Sequence, residues 1–194
     1  MCPPRSTRAL LLAALLAAAS SIPARGQEVP VPADLQAKLF ATILGFDREL
    51  QPGPDGAVVV GILVQRHYRP SLEAAEDLMA AVAAMPRSNP RVRTVMLDAD
   101  GEGLEHQLLR HGCSAIYVTP LRALSVEAVA GEARRLGVRS LTGVPIYVRR
   151  GISVGLGLRD RRPEILINLR AARAEGADYS AQLLDMARLI DEGG

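Results

Sequence analysis

The stretch AVVVGILV, Ala57–Val64, limits the fold more than any other part of the chain, because its eight residues include no polar side chain and five are β-branched. A strand with one wet face alternates apolar and polar residues. This one does not, so it is expected to lie centrally in a sheet covered on both faces. Upstream, Leu35, Leu39, Phe40, Ile43 and Phe46 recur at helical spacing between Pro32 and Leu50, and the prolines and glycines of Gln51–Gly56 end that helix. Downstream, Ser71 is placed to cap a helix starting at Leu72, with Glu73 in its positive first turn and Leu72, Ala75, Leu78, Met79 and Val82 as the buried stripe.

The alternation then repeats. Val92–Leu97 reads as a strand, Glu102–His111 as a short helix stopped by Gly112, and Ser114–Thr119 as a third strand; Ser125 can cap another helix that Gly137 ends. After Ser140 the strand-like runs crowd together: SLTGVPIYV, then ISVGLGL and EILINL separated by the polar turn RDRRP. That turn is too short for a helical crossover, so antiparallel pairing is expected there. The expected fold class is therefore α/β: a single three-layer domain whose mixed sheet has a doubly wound parallel first half and an antiparallel hairpin near the C-terminus.

Residues 1–26 have the layout of a secretory signal peptide: Arg5 and Arg8, the apolar run Ala9–Ala19, then the small-residue exit Ala24-Arg25-Gly26. The run is shorter than a membrane span requires. Cleavage would leave residues 27–194 as one exported domain of 168 residues with 20 basic and 21 acidic side chains. A near-neutral body lacks the clustered positive charge of a nucleic-acid surface. Cys2 leaves with the signal, so Cys113 stands alone, forms no internal disulfide and reads as a small buried hydrophobe at a strand start.

No catalytic, cofactor-binding or metal-binding set emerges. Gly155 and Gly157 lie in a strand-like run without the third glycine and following helix that a dinucleotide site needs, so they read as positions of close backbone packing. His106 and His111, five residues apart on a helix, point about 140° away from one another, and His67 falls in a loop. No Gly-x-Ser-x-Gly stands at a strand-to-helix turn, since the stretch that matches the pattern, Gly151-Ile152-Ser153-Val154-Gly155, opens a strand-like run. The acids Asp98, Asp100, Glu102 and Glu105 suit a solvated loop and a helix first turn. Arginine dominates, Lys38 being the only lysine, and Arg149, Arg150, Arg159, Arg161 and Arg162 form either a solvated face or a patch for an acidic partner.

The closing stretch carries a resemblance. Ile165, Leu166, Ile167 and Leu169 make a strand with Asn168 as a polar intruder placed to tie strand to turn. Asp178 or Ser180 can cap a last helix whose Leu183, Met186, Ala187 and Ile190 face the core. Ile167-Asn168-Leu169, Ala171-Ala172, Ser180 and Leu183-Leu184 with Ala187, together with Phe46-Asp47-Arg48 in the first helix, the Cys113-led strand and Leu141–Leu158, resemble the YfiR-like family of small periplasmic proteins, in its branch with FDR in the first helix. The similarity runs from about Leu35 to Ile190 and consists of packing signatures.

That resemblance implies a non-catalytic periplasmic regulator that binds and restrains a membrane-bound sensor protein, a diguanylate cyclase or histidine kinase, in cyclic di-GMP and envelope signalling. It implies an inner-membrane partner, a possible homodimer, no cofactor and no nucleic acid. From the residues alone, the competing reading is a periplasmic small-molecule receptor whose crevice lies at the carboxyl ends of the parallel strands, lined by the loops after Val64, Leu97 and Thr119.

Overall fold

A computed structural model describes residues 29–86, 90–122 and 124–190; residues 1–26, expected to be a signal peptide, lie outside them. In chain order the elements are α1 (Ala33–Gly45), β1 (Ala57–Val64), α2 (Arg69–Ala84), β2 (Arg91–Asp98), α3 (Leu104–His111), β3 (Ala115–Val118), α4 (Val126–Leu136), β4 (Arg139–Thr142), α5 (Ile146–Arg149), β5 (Val154–Arg159), β6 (Arg162–Ile167), α6 (Leu169–Ala174), α7 (Ala181–Met186) and β7 (Arg188–Leu189). They form one seven-stranded sheet in the order β2-β1-β3-β4-β5-β6-β7. Neighbours from β2 to β5 are parallel, β5 and β6 are antiparallel, and β7 runs parallel to β6.

The apolar run that opened the reading is β1 with the expected limits, and every one of its residues is buried. Its alternate side chains feed two cores. Val58, Val60 and Ile62 join Phe40, Leu44 and Leu78 beneath α1 and α2, while Val59 and Leu63 join Leu108, Val129 and Tyr147 beneath α3, α4 and α5. The sheet is the middle of three layers, as expected. Gly61 lacks a side chain because one there would collide with the Leu97 side chain at 2.4 Å.

Three local expectations are corrected. Ser71 does not cap a helix: α2 starts two residues earlier, with Tyr68 at its cap position and Pro70 in its first turn, where proline needs no amide hydrogen. The strand reading of SLTGVPIYV holds only for Ser140–Thr142, within β4, since Pro145 initiates the helical turn α5 before β5, which pairs with β4 in parallel. The Ala-rich turn after Asn168 is the helix α6, and the last helix stops at Met186, which is exposed; Leu183 and Ile190 are buried, but Ile190 follows a two-residue strand. Periodicity sees these apolar residues without seeing that Ile190 donates its N–H to the Ile167 carbonyl at 2.8 Å and so belongs to the sheet.

The hairpin does follow the expected course. Asp160 and Arg161 both take positive φ, 51° and 63°, the two-residue turn whose twist suits adjacent antiparallel strands.

Candidate functional site

The strand order reverses between β1 and β3, and open α/β sheets usually hold ligands at that point, beyond the carboxyl ends of the strands. Here the position is filled by the chain itself. Ser71, buried inside α2, accepts from the Gln65 N–H at 2.9 Å and lies 2.6 Å from the Thr119 hydroxyl, which donates to the Leu63 carbonyl at 2.7 Å. Gln65 in turn accepts from the Arg122 N–H at 2.8 Å.

One strand further along, the first described residues are tied down over β3 and β4. Gln36 donates to the Val31 carbonyl at 2.7 Å and accepts from the Tyr117 hydroxyl at 2.9 Å. Burial holds the Tyr117 phenol well above its ordinary titration range, so it remains a donor. Gly143 leaves room for this junction.

An open cleft of about 400 Å³ sits beside the filled point, between the loop after β2 and helices α3 and α4, lined by Leu63, Asp98, Leu104, Glu105, Val129 and Glu132. Its charged groups are committed to one another. Arg66 pairs with Asp98 at 3.0 Å, Arg135 bridges Glu105 and Glu132 at 2.7 Å each, and Gln107 clamps the backbone of Asp98 on both sides, at 2.8 and 2.9 Å.

At the opposite, amino end of the strands lies a buried polar cluster that sequence reasoning did not find. Asp47, whose carboxylate is fully buried, accepts from Arg139 Nε at 2.8 Å and from the Glu49 and Asp178 amides at 3.0 Å each. The rest of the Arg139 guanidinium donates to the carbonyls of Gly137, Glu175 and Gly176 at 2.8, 3.0 and 2.9 Å. Arg48 reaches Asp178 at 3.2 Å, and Asp47 forms a β-bridge with Tyr179. The FDR tripeptide is thus a clasp between the first helix and the segment that follows α6. An arginine inside the strand sequence VRSLT was the available signal, since an unpaired guanidinium there would be prohibitively costly.

Beside the clasp, Glu175 is buried and receives hydrogen bonds from the Ser140 hydroxyl and from the Ser140 N–H, the latter at 2.9 Å. Loss of solvent pushes its carboxyl up to about 7, against the lowering effect of the Ser140 bonds. The Tyr179 hydroxyl nearby is buried with no hydrogen-bond partner among the described residues, and burial raises its titration strongly. Asp47 also lines an open cleft of about 160 Å³ with Leu50, Pro52 and Pro90, while Glu175 and Tyr179 are almost wholly buried.

The residues singled out from sequence fall apart in space or into structural roles. His67, His106 and His111 are exposed, His106 standing 3.4 Å from Glu102, and no group of metal-binding side chains gathers among the described residues. Cys113 is buried, its thiol pushed up to about 11 chiefly by loss of solvent. Asn168 caps α6 through the Ala171 N–H at 2.9 Å and donates to the Val148 carbonyl at 3.2 Å, tying strand to helix as expected. Gly155 is a close-packing position, with Val148 2.4 Å from where a Cβ would stand. Of the arginines, Arg150 pairs with Glu127 at 2.6 Å, whereas Arg159, Arg161 and Arg162 share the tip of the β5–β6 hairpin.

Comparison with known proteins bears on the fold and the family. No curated protein matches the chain. A conserved domain protein from Vibrio cholerae O1 biovar El Tor is similar in structure, with TM-score 0.56 and 14% identity over 81% of this chain and 60% of the other. An ABC domain from Streptococcus pneumoniae, solved in complex with L-Trp, gives TM-score 0.59 and 11% identity over 81% of this chain and 61% of that one. The chain thus spans about 60% of the length of these structures, and at such identities the likeness concerns the fold alone. Among the described residues no helix is long and apolar enough to cross a membrane. A family match over residues 37–188, which takes in the clasp, both cores and the hairpin, shows that the chain belongs to the YfiR/HmsC-like family.

Proposed function

We propose that this protein is a non-catalytic periplasmic regulator, exported by cleavage after residue 26, that binds and restrains a membrane-bound sensor protein in cyclic di-GMP signalling. Membership of the YfiR/HmsC-like family over residues 37–188 carries the reading. The polar residues at both ends of the sheet support it, because they are spent on internal bonds rather than poised on a reactive position. The partner is a diguanylate cyclase or a histidine kinase with a periplasmic sensor region, and the regulator acts as a monomer or homodimer on it.

The test is cross-linking in whole cells followed by purification of the tagged chain, with cyclic di-GMP measured in a deletion strain. The expected outcome is an inner-membrane sensor among the adducts and a raised cyclic di-GMP level on deletion. Absence of any such sensor together with an unchanged level overturns the reading.

The cleft of about 400 Å³ favours one alternative, a small-molecule receptor. A panel of periplasmic metabolites in thermal-shift assays decides it: a dose-dependent rise in Tm supports a receptor, and a flat response across the panel removes it.

A further inference from the structure

The β5–β6 hairpin presents an unusual surface on the side of the sheet that carries α5. Alternation places Gly155, Gly157 and Arg159 of β5 on that face, and the register sets them opposite Leu166, Glu164 and Arg162 of β6. Arg188 of β7 shares the face, since it reaches Glu164 at 3.1 Å, and Arg159 approaches the same carboxylate at 3.7 Å. Two arginines therefore flank one acid, which is itself largely covered, and Arg162 stands on the same face two residues along. Arg161, exposed at the turn with a positive φ of 63°, adds a further guanidinium to the hairpin tip.

The backbone beside these arginines is also open. Strand β7 pairs with β6 only at Leu166 and Ile167, so no described strand covers the outer edge of Arg162–Ile165. Because Ile167 bonds outward to Ile190 and Pro163 has no N–H, this edge offers the Ile165 amide and the Pro163 and Ile165 carbonyls to an incoming segment. Next to it, Gly157 leaves a floor on which the Pro145 ring lies, and Ile146 stands 52% exposed.

The geometry points to this shelf as the docking site for an extended, acidic segment of the regulated sensor protein, which lies along Arg162–Ile165, bonds the Ile165 backbone and sets its carboxylates against Arg159, Arg162 and Arg188. This rests on the regulatory reading above and names the surface that performs it. Guanidinium groups on rigid strands favour carboxylates in two-pronged contact, and the excess of positive charge steers an acidic segment and disfavours a basic one.

Two measurements test it. First, a fluorescein-labelled peptide alternating glutamate with leucine and valine is titrated by anisotropy at low salt against the wild type, the double variant Arg159→Glu/Arg162→Glu, and Arg69→Glu on α2 as a charge control, each checked for folding by circular dichroism. Charge reversal at the shelf is expected to weaken binding about tenfold or more, with the control unchanged. Equal weakening in both variants, or none in either, overturns the shelf.

Second, a photo-cross-linking residue is placed at Arg162 or, on α3, at Leu109, and adducts formed in cells are sequenced. Adducts from Arg162 to an acidic periplasmic segment of an inner-membrane sensor support the proposal. Sensor adducts from Leu109 alone overturn the shelf and leave the regulatory reading standing, whereas none from either position counts against that reading itself. Binding to phosphatidylglycerol vesicles that vanishes in the double variant, with no peptide binding, assigns the shelf to a lipid surface and overturns the proposal.

Discussion

The two ends of the parallel strands handle charge in opposite ways. At the carboxyl end, pairs such as Arg66–Asp98 and Arg135–Glu105 are half exposed and stand around an open cleft. At the amino end, Asp47 and Arg139 are buried against the backbone of the 175–178 segment. Solvated pairs contribute little, typically less than about 1 kcal/mol, because water already satisfies each partner. A buried pair is different: its assembly is costly, yet losing one partner strands the other, at roughly 3–5 kcal/mol. The pairs around the carboxyl-end cleft are replaceable decoration, whereas the buried Asp47–Arg139 pair at the amino end dictates which segments meet.

The largest expected effect therefore follows Asp47→Ala, which leaves Arg139 uncompensated. Chemical denaturation should show a loss of about 3–5 kcal/mol, and the double variant Asp47→Leu/Arg139→Met should recover much of it. A loss below about 1 kcal/mol, as for a surface pair, would erase the contrast between the two ends.

Next comes the pH response of the buried end. Glu175 is pushed up to about 7 in the folded chain against 4.5 ordinarily. The folded state thus binds the extra proton between these values, so the stabilising effect of the protonated carboxyl is full below about pH 4.5 and is lost as pH rises to about 7. The whole swing is on the order of 3 kcal/mol. Denaturation midpoints of Glu175→Gln, followed from pH 4 to 8, should lack this decline and exceed the wild type at the upper end. Parallel profiles for the two proteins would show that the carboxyl is not held neutral.

A smaller effect sharpens the comparison at the carboxyl end. A Cβ at Gly143 would stand 2.5 Å from the Tyr117 hydroxyl and 2.6 Å from Gln36 Oε1, so Gly143→Ala should cost about 1–3 kcal/mol through forced repacking and increase hydrogen exchange at residues 29–36. The smallest concerns Glu127, whose carboxyl the Arg150 guanidinium holds down to about 2. Because the pair is exposed, Glu127→Gln should change stability at pH 7 by less than about 1 kcal/mol.

How far the sequence reveals this architecture depends on the range of the interaction concerned. Strand β1 was legible to the residue because the absence of polar side chains is local information. So were the cap at Ser125, whose hydroxyl accepts from the Ala128 N–H, and the left-handed glycines that end α3 and α4. Ser71 misled because its local pattern suits a cap, while its hydroxyl actually answers Thr119, 48 residues away. Arg139 and Glu175 went unseen for the same reason, since their partners come from remote parts of the chain. The arginine patch was half legible: Arg159, Arg161 and Arg162 do share the hairpin tip, but Arg150 is neutralised by Glu127 and Arg188 entered only through the pairing of β7.

The bridge from Asp47 to Tyr179 joins positions separated by most of the domain. Closing so long a loop must await the 175–179 segment, so the clasp at the end of α1 is completed only when most of the chain has been delivered, although the helix already packs on Tyr117 through Gln36 and Phe40. On the proposed export route, amino end first, this wiring leaves the latch open until the far side of the membrane, where a helix already seated waits for its late-arriving anchor.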